Sequence, residues 1–368
     1  MAELVSVVIP TCNRVHTLAR AIDSALAQTH GAIEVVVVDG GSTDGTSQMV
    51  GTRYGRDPRV RYRWQENAGV AAARNRGIAD SRGAYVAFLG SDDWWRPWKV
   101  ELQLAALRLF PGAGMVWTDV EAVGPGGAVL SPRSLRILYK AYRRFPRTAD
   151  LFPASRVLAG PGPWSADFGP VMAHCGDIRA HMLMGNLVPT STVLLKREWI
   201  EELKGFDPEL SAPGEDFDFH LRTCFLGPVA FADVPAAHCR ISAPDRVADK
   251  DRKLAVNVLA AVTRALQRHG RALDLPGWWI DEVFGEAHRR VADAMVGAGE
   301  HAAGRRHYLH SLRHRPWQWR AYAQVALCCL PPDLAERMRA LHRRVTRRPA
   351  RLCGGARTQA APNTTPFG

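Results

Sequence analysis

Three short apolar runs restrict the fold of this chain more than any other feature: Val5–Ile9, Ile33–Val38 and Tyr85–Leu89. Each stops abruptly at a turn, at Pro10–Arg14, Asp39–Gly45 and Gly90–Asp93 respectively. Runs this short, cut off by turn residues, read as strands buried on both faces, as in parallel sheets. Between them the spacing turns helical. Leu18, Ile22, Ala25 and Leu26 share one face, Ala68–Ala79 is alanine-rich, and Trp98–Phe110 carries Val100, Leu104 and Leu107 on one side. Arg59–Trp64 alternates as a more exposed strand, and Met115–Val120 adds another. Repeated βα units predict an α/β chain with a doubly wound, mostly parallel sheet.

Strand carboxyl ends lie along one edge of such a sheet, where ligands bind. The polar clusters Thr11–Arg14, Asp39–Gly45 and Ser91–Asp93 are therefore expected to converge on one crevice. The glycine-rich Asp39–Gly45 matches neither GxGxxG nor a P-loop. Asp39 has the wrong charge for phosphate. It is left to accept from a base N–H or ribose hydroxyl, or to hold an Asx-turn. Ser42 or Thr43 is expected to cap the next helix. Asp92 and Asp93 repel each other, and a divalent cation would relieve that. The same residues also suit a helix cap ahead of Pro97.

Composition excludes several classes. At 46% hydrophobic and 23% charged, the 368 residues are those of a globular protein with one enlarged domain or two. No run approaches the length of a membrane span. The start, Met-Ala-Glu, leads straight into a strand pattern, so a cytoplasmic chain without a signal peptide is expected. Seven scattered cysteines without a CxxC pair suggest neither a disulfide framework nor a zinc site. From Glu300 onward there are thirteen arginines against three acids, a surplus of ten out of the formal +12. The first 240 residues are thus nearly neutral.

The order VSVVIPTCNR, EVVVVDGGSTDGT and NAGVAAARNRGIADSRGAYVAFLGSDD resembles the family-2 glycosyltransferases. GNLVPTSTVLLKREWIEELKGFDPELSAPGEDFDFHLR resembles that family's acceptor half. The resemblance spans most of residues 4–240 and implies a GT-A type, Rossmann-like fold. It also implies transfer of a sugar, with inversion, from a UDP-, GDP- or dTDP-sugar to an acceptor hydroxyl on a glycan or lipid-linked glycan. Cell-surface polysaccharide, glycolipid or other glycoconjugate synthesis is the implied setting.

The same resemblance assigns roles residue by residue. Thr11, Cys12, Asn13 and Arg14 would hold base and ribose, with Cys12 in place of the usual aromatic. Asp39 would bond the base, and Arg74, in the ARN motif, would reach base or phosphate. The alternative for Arg74 is an ordinary charge on a helix surface. Asp92 would bond ribose and metal and Asp93 the metal, Mg²⁺ or Mn²⁺, while Gly90 stands where many members carry a first acid. Asp216 would be the catalytic base, with Glu215 in support, although acids in a first helical turn are also favoured by the helix dipole. Asp218 is expected to face solvent and His220 to border the site. The family's Arg-x-His is here Arg240-Ile241-Ser242, and His238 is no automatic replacement. A non-catalytic nucleotide- or carbohydrate-binding relative with a degenerate site is the alternative function.

Residues 1–242 are read as the glycosyltransferase domain, divided near 120 into nucleotide and acceptor halves. Within it, Val123 to about Met182 shows no period and reads as an irregular insertion that contributes to acceptor recognition. Residues 243–348 read as a basic helical extension, with helices over Leu254–Gln267, Ile280–Val296, Ala302–Arg313 and Leu334–Val345. Residues 349–368 read as a disordered tail. The basic helices suit an anionic membrane face, hence peripheral association with the inner leaflet. A solvated surface of packed helices is the competing reading, and no nucleic-acid motif accompanies them. Cys328-Cys329 is expected in a core.

Overall fold

A computed structural model describes residues 3–158, 162–210, 213–241 and 248–330, with 334, 337 and 338. Among the described residues eleven strands form one sheet: β1 (Val5–Thr11), β2 (Ile33–Gly40), β3 (Val60–Gln65), β4 (Tyr85–Phe88), β5 (Trp94–Trp95), β6 (Met115–Val123), β7 (Val129–Ser131), β8 (Ala154–Val157), β9 (Met172–Gly176), β10 (Leu194–Lys196) and β11 (Val229–Arg240). Their order is β3-β2-β1-β4-β10-β6-β11-β9-β8, with β5 on β11 and β7 on β6. The first four strands of that order are parallel, as is the β6–β11 pair, while β10 enters antiparallel to both its neighbours. The expected α/β architecture is present.

Alternation along the strands feeds two cores. Val5, Val7, Ile9, Ala87 and Leu89 face one side, with helices α1 (Val15–Leu26) and α4 (Lys99–Leu109). Val8, Val86 and Phe88 face the other, where Phe206, Phe217 and Phe219 pack. Each large side chain buried this way contributes about 1.5–3 kcal/mol. Between them lie α2 (Thr46–Tyr54) and α3 (Gly69–Asp80). Neither Ser42 nor Thr43 caps α2. The helix starts at Thr46, whose N–H and hydroxyl both donate to Asp44 Oδ1 (3.2 and 2.6 Å). Ser42 and Thr43 are instead engaged by the loop after β1.

Residues 123–182 are more ordered than their sequence suggests. They contain β7, β8 and β9, the last two extending the sheet at its edge beyond β11. The strand Ala154–Val157 is exposed throughout, so it lacks the apolar alternation that would mark it.

The extension comprises helices Ala248–His269, Gly277–Gly297, His301–His314 and Trp319–Leu327. The first two put Ala261, Val262, Ala265 and Val283 into the second core. The last two join the second around a smaller cluster of Ala292, Tyr308, Leu312 and Ala321. Cys328 is half-buried against that cluster and Cys329 is exposed, so the pair is not a core element. Of the helix expected over Leu334–Val345 only Leu334, Arg337 and Met338 are described, all three helical, and the rest of it and the tail after 348 lie outside the described residues. Among the described residues, no helix is long and apolar enough to cross a membrane.

Candidate functional site

β1 and β2 run parallel in a register that sets Thr11 beside Asp39, so the loops that follow them leave the sheet together. Asn13, at a positive φ of 51°, ties them. Its N–H donates to Ser42 Oγ (2.8 Å), and its Oδ1 accepts from the Thr43 N–H (2.8 Å). The Val15 N–H donates to Asp44 Oδ2 at 3.0 Å. Two of the three expected clusters are thus one structure. Asp39 lies beneath it, wholly buried. Its Oδ1 accepts from the Ser42 N–H (2.9 Å) and its Oδ2 from the Tyr62 hydroxyl (2.5 Å). Asp39 therefore holds the turn and the neighbouring strand. Burial, with the Asp39 bond second, pushes the Tyr62 phenol up to about 12. The Thr11 hydroxyl is buried without a protein partner. Asn67, which sequence reasoning passed over, approaches Cys12 Sγ with its Nδ2 (3.7 Å) and borders Gly40. A Cβ at Gly40 would meet only ordinary contacts, the nearest Thr11 O at 3.6 Å.

The third cluster follows β4. Asp93 is buried; its Oδ2 accepts from the Ser191 hydroxyl (2.5 Å) and its Oδ1 from the Arg240 N–H (3.0 Å). Burial first, and then the charge of Asp92, raise its carboxyl to about 6, against those two hydrogen bonds. Ser191 also accepts from the Gly90 N–H (3.0 Å). A Cβ at Gly90 would lie 3.0 Å from Asp93 Oδ2, 3.2 Å from Ser191 Oγ and 3.3 Å from Asp92 Oδ1. Any side chain there would crowd all three groups, and an acid would add a third negative charge. The glycine matches a space already taken by Ser191. One oxygen of each aspartate approaches this common point, and a pair of hard carboxylate oxygens suits Mg²⁺ or Mn²⁺ completed by phosphate and water. Among the described residues no group of three or more His, Cys, Asp or Glu converges as a complete metal cage.

The other side is built on the helix Glu215–Cys224. Gly214 begins it at a φ of +115°, and its missing Cβ would lie 2.9 Å from Asn257 Cβ of the extension. Only glycine meets both demands easily. Glu215 is buried and pairs with Arg74 (Oε1 to Nη1, 2.6 Å), while Glu215 Oε2 and Arg74 Nε have no protein partner. Arg74 also stands over the Phe206 ring. It is thus neither an ordinary surface charge nor turned freely towards phosphate. Half-buried Asp216 accepts from the Phe217 N–H at 2.8 Å and from the Thr190 hydroxyl at 3.5 Å. Burial and then the Glu215 charge raise its carboxyl above the usual range, with Arg74 opposing. Thr190 Oγ1 lies 3.2 Å from His220 Nε2. Burial, with Arg74 and Arg222 adding, pushes that imidazole down to about 3, so it is neutral. Asp218 is not solvent-facing. It is buried against Arg222 (2.7 Å) and Arg264 (3.3 Å), which anchor the helix. His238 stacks on Trp94 and bonds Glu121 at 2.9 Å.

Asp216 opens into a cleft of 810 Å³. One wall carries Tyr139, Lys140 and Asn186, and the facing wall is the extension, with Leu254, Val258 and Arg290. Two of those residues come from the stretch that sequence reasoning could not parse. A cleft of this size is in the range of ligand sites.

The family model described as "Glycosyl transferase family 2" matches residues 6–158. An uncharacterized glycosyltransferase of Rickettsia felis is 46% identical over 100 residues, which is 27% of this chain and 16% of that protein. The chondroitin synthase of Pasteurella multocida is 37% identical over 128 residues, 35% of this chain and 13% of that protein. The matched part thus spans less than a fifth of either relative's length. Among solved structures, a mannosyltransferase from Pyrobaculum calidifontis, in complex with GDP-Man and Mn²⁺, aligns over 94% of this chain and 81% of its own. The TM-score is 0.50 and the identity 19%, a likeness of fold.

Proposed function

We infer that this family-2 glycosyltransferase moves a sugar, with inversion, from a nucleoside diphosphate sugar to an acceptor hydroxyl held in the 810 Å³ cleft. The observation that carries the reading is the position of Asp216: a carboxylate of raised affinity for protons, opening into that cleft. A UDP-, GDP- or dTDP-sugar would rest its nucleoside on the joined loops of Thr11–Arg14 and Gly40–Thr43, over Asp39. Its diphosphate would lie towards Asp92 and Asp93. Those two residues would hold Mg²⁺ or Mn²⁺, which when bound neutralises charge on the departing diphosphate.

The acceptor hydroxyl is a weak nucleophile until its proton can leave. Asp216 takes that proton as the oxygen attacks the anomeric carbon from the face opposite the diphosphate. The bond to the diphosphate oxygen breaks with its electron pair, and the nucleoside diphosphate departs. Burial first, and then the charge of Glu215, which Arg74 fixes in place, hold Asp216 at a raised pKa and so make it a more willing proton acceptor. Thr190 and neutral His220 back its other oxygen. Tyr139, Lys140 and Asn186 would contact the acceptor, a glycan or lipid-linked glycan, against the extension. Gly90 does not argue for a degenerate site, because a side chain there would crowd Asp93, Ser191 and Asp92 together.

A donor screen tests this. UDP-, GDP- and dTDP-sugars are incubated with Mn²⁺ or Mg²⁺, with and without membrane lipid extract, and nucleotide release is measured. One donor class is expected to be consumed in a metal-dependent manner. If no nucleoside diphosphate binds with either metal, the reading fails.

A further inference from the structure

The helices Gly277–Gly297 and His301–His314 lie antiparallel. His314 Nδ1 is 2.9 Å from Asp281 Oδ1, and Arg315 Nε is 2.9 Å from Glu282 Oε2. The start of the first helix therefore sits beside the end of the second. Three tryptophans are exposed at this one end: Trp278 (63%), Trp317 (92%) and Trp319 (66%). Tyr322, one turn beyond Trp319, is 53% exposed. On the helix Trp319–Leu327, residues Trp319, Tyr322, Ala323 and Ala326 form a solvent-facing stripe. The opposite side of that helix packs Ala321 and Val325 inward. An apolar stripe on each side of a surface helix is one more than its own fold uses.

Charge chooses the occupant. Between His301 and Leu330 there are five arginines and no aspartate or glutamate. Arg313 and Arg320, at this end, are exposed, and no carboxylate among the described residues pairs with them. Amphipathic Trp and Tyr rings rest at the headgroup level of a bilayer, while arginine guanidinium groups bond lipid phosphate. A protein partner fitting the aromatics alone would leave the cations without a role. We propose that this end of the extension, Trp278 with Trp317–Tyr322 and the arginines beside them, docks on an anionic lipid bilayer surface. The inference does not rest on the glycosyl-transfer reading, because the surface includes none of the cleft residues.

The test is co-sedimentation of the full chain with vesicles of phosphatidylcholine alone, or with about a quarter phosphatidylglycerol. Tryptophan emission is followed in parallel. Binding about tenfold or more tighter to the anionic vesicles, with a blue shift, is expected. Trp317→Ser combined with Trp319→Ser should weaken that binding about tenfold and abolish the shift. Each of Arg313→Gln and Arg320→Gln should weaken it about fivefold, and 0.5 M salt should act in the same direction at roughly the strength of several such changes. The side chain of Trp317, the most exposed of these, makes Trp317→Ser alone a control free of any folding defect. Equal binding to neutral vesicles, or binding unchanged in the tryptophan variants, overturns the proposal. So does a dimer in light scattering without vesicle binding, which would give this face to a second copy of the chain.

Discussion

The side of the site proposed to hold the donor is wired largely within itself, whereas the proposed acceptor side is assembled from distant parts. Asn13, Ser42, Thr43 and Asp44 join two adjacent loops, and Asp39 reaches only its own turn and the next strand. On the acceptor side, Arg74 pairs with Glu215 across 141 positions, Thr190 reaches Asp216, and the cleft's far wall comes from the extension. Local wiring gives a platform that forms with the sheet. Distant wiring makes the base sensitive to changes well away from it. Ser191 joins the two, since it holds Asp93 from the segment that also supplies Thr190.

The largest effect should separate the sides cleanly. Asp216→Asn removes the proton acceptor without touching the loops of Thr11–Arg14 and Gly40–Thr43. Transfer should fall about 10²–10⁴-fold, while nucleoside diphosphate affinity, measured by calorimetry, stays as in the parent. A parallel loss of nucleotide affinity would mean that the two sides are not separable. Full retention of transfer would remove Asp216 from the role of base.

A smaller effect sharpens the distant wiring. As the proposed base Asp216 would work ionised, so activity should decline as pH falls through its raised pKa. The Glu215 charge is one cause of that rise, and Arg74 opposes it. Glu215→Gln removes the first and releases the second from its partner. Both changes favour the carboxylate, so the acid limb of the pH–rate profile should move to lower pH. Stability should drop by about 1–3 kcal/mol from the lost charged hydrogen bond, visible as a lower Tm. A limb that stays in place, or moves up, would show that the base does not feel the Arg74–Glu215 pair.

This contrast also explains how much was legible in advance. The strands Val5–Thr11 and Ile33–Gly40 and the helices between were readable because each carries its period within a few residues. The convergence of Thr11–Arg14 with Asp39–Gly45 followed from parallel topology alone. Ser191 and Thr190 had only one signal, a hydroxyl run ahead of a short strand, and nothing local says which carboxylate each would meet. Asp218 was misplaced because its partners include Arg264, 46 positions away. Strand β8 was missed because an exposed edge strand buries too little to show a pattern, and β9, paired on both sides, because its short run Met172–Gly176 mixes buried and half-buried positions without alternation. The helix Trp319–Leu327 was hidden for the opposite reason, since apolar residues on both faces blur its period.

The smallest effect concerns the buried brace beneath the junction. Lys99 is fully buried with no carboxylate beside it. Its Nζ donates to Gln103 Oε1 (2.6 Å) and lies over the Trp95 ring, and Gln103 Nε2 donates to the Val116 and Thr192 carbonyls. Burial pushes the ammonium well below its ordinary value. Between that lowered value and about 10.4, the unfolded chain binds more protons at this position than the folded one. The folded state therefore gains stability as pH rises through the window, and loses it as pH falls. Lys99→Met abolishes this dependence and leaves Gln103 Oε1 without its donor. In urea unfolding, the variant should compare worst with the parent near pH 10 and progressively better towards pH 7. A stability difference that is flat across that range would mean the lysine keeps its charge in the fold. The brace that ties α4 to the Thr192 carbonyl would then be ionic.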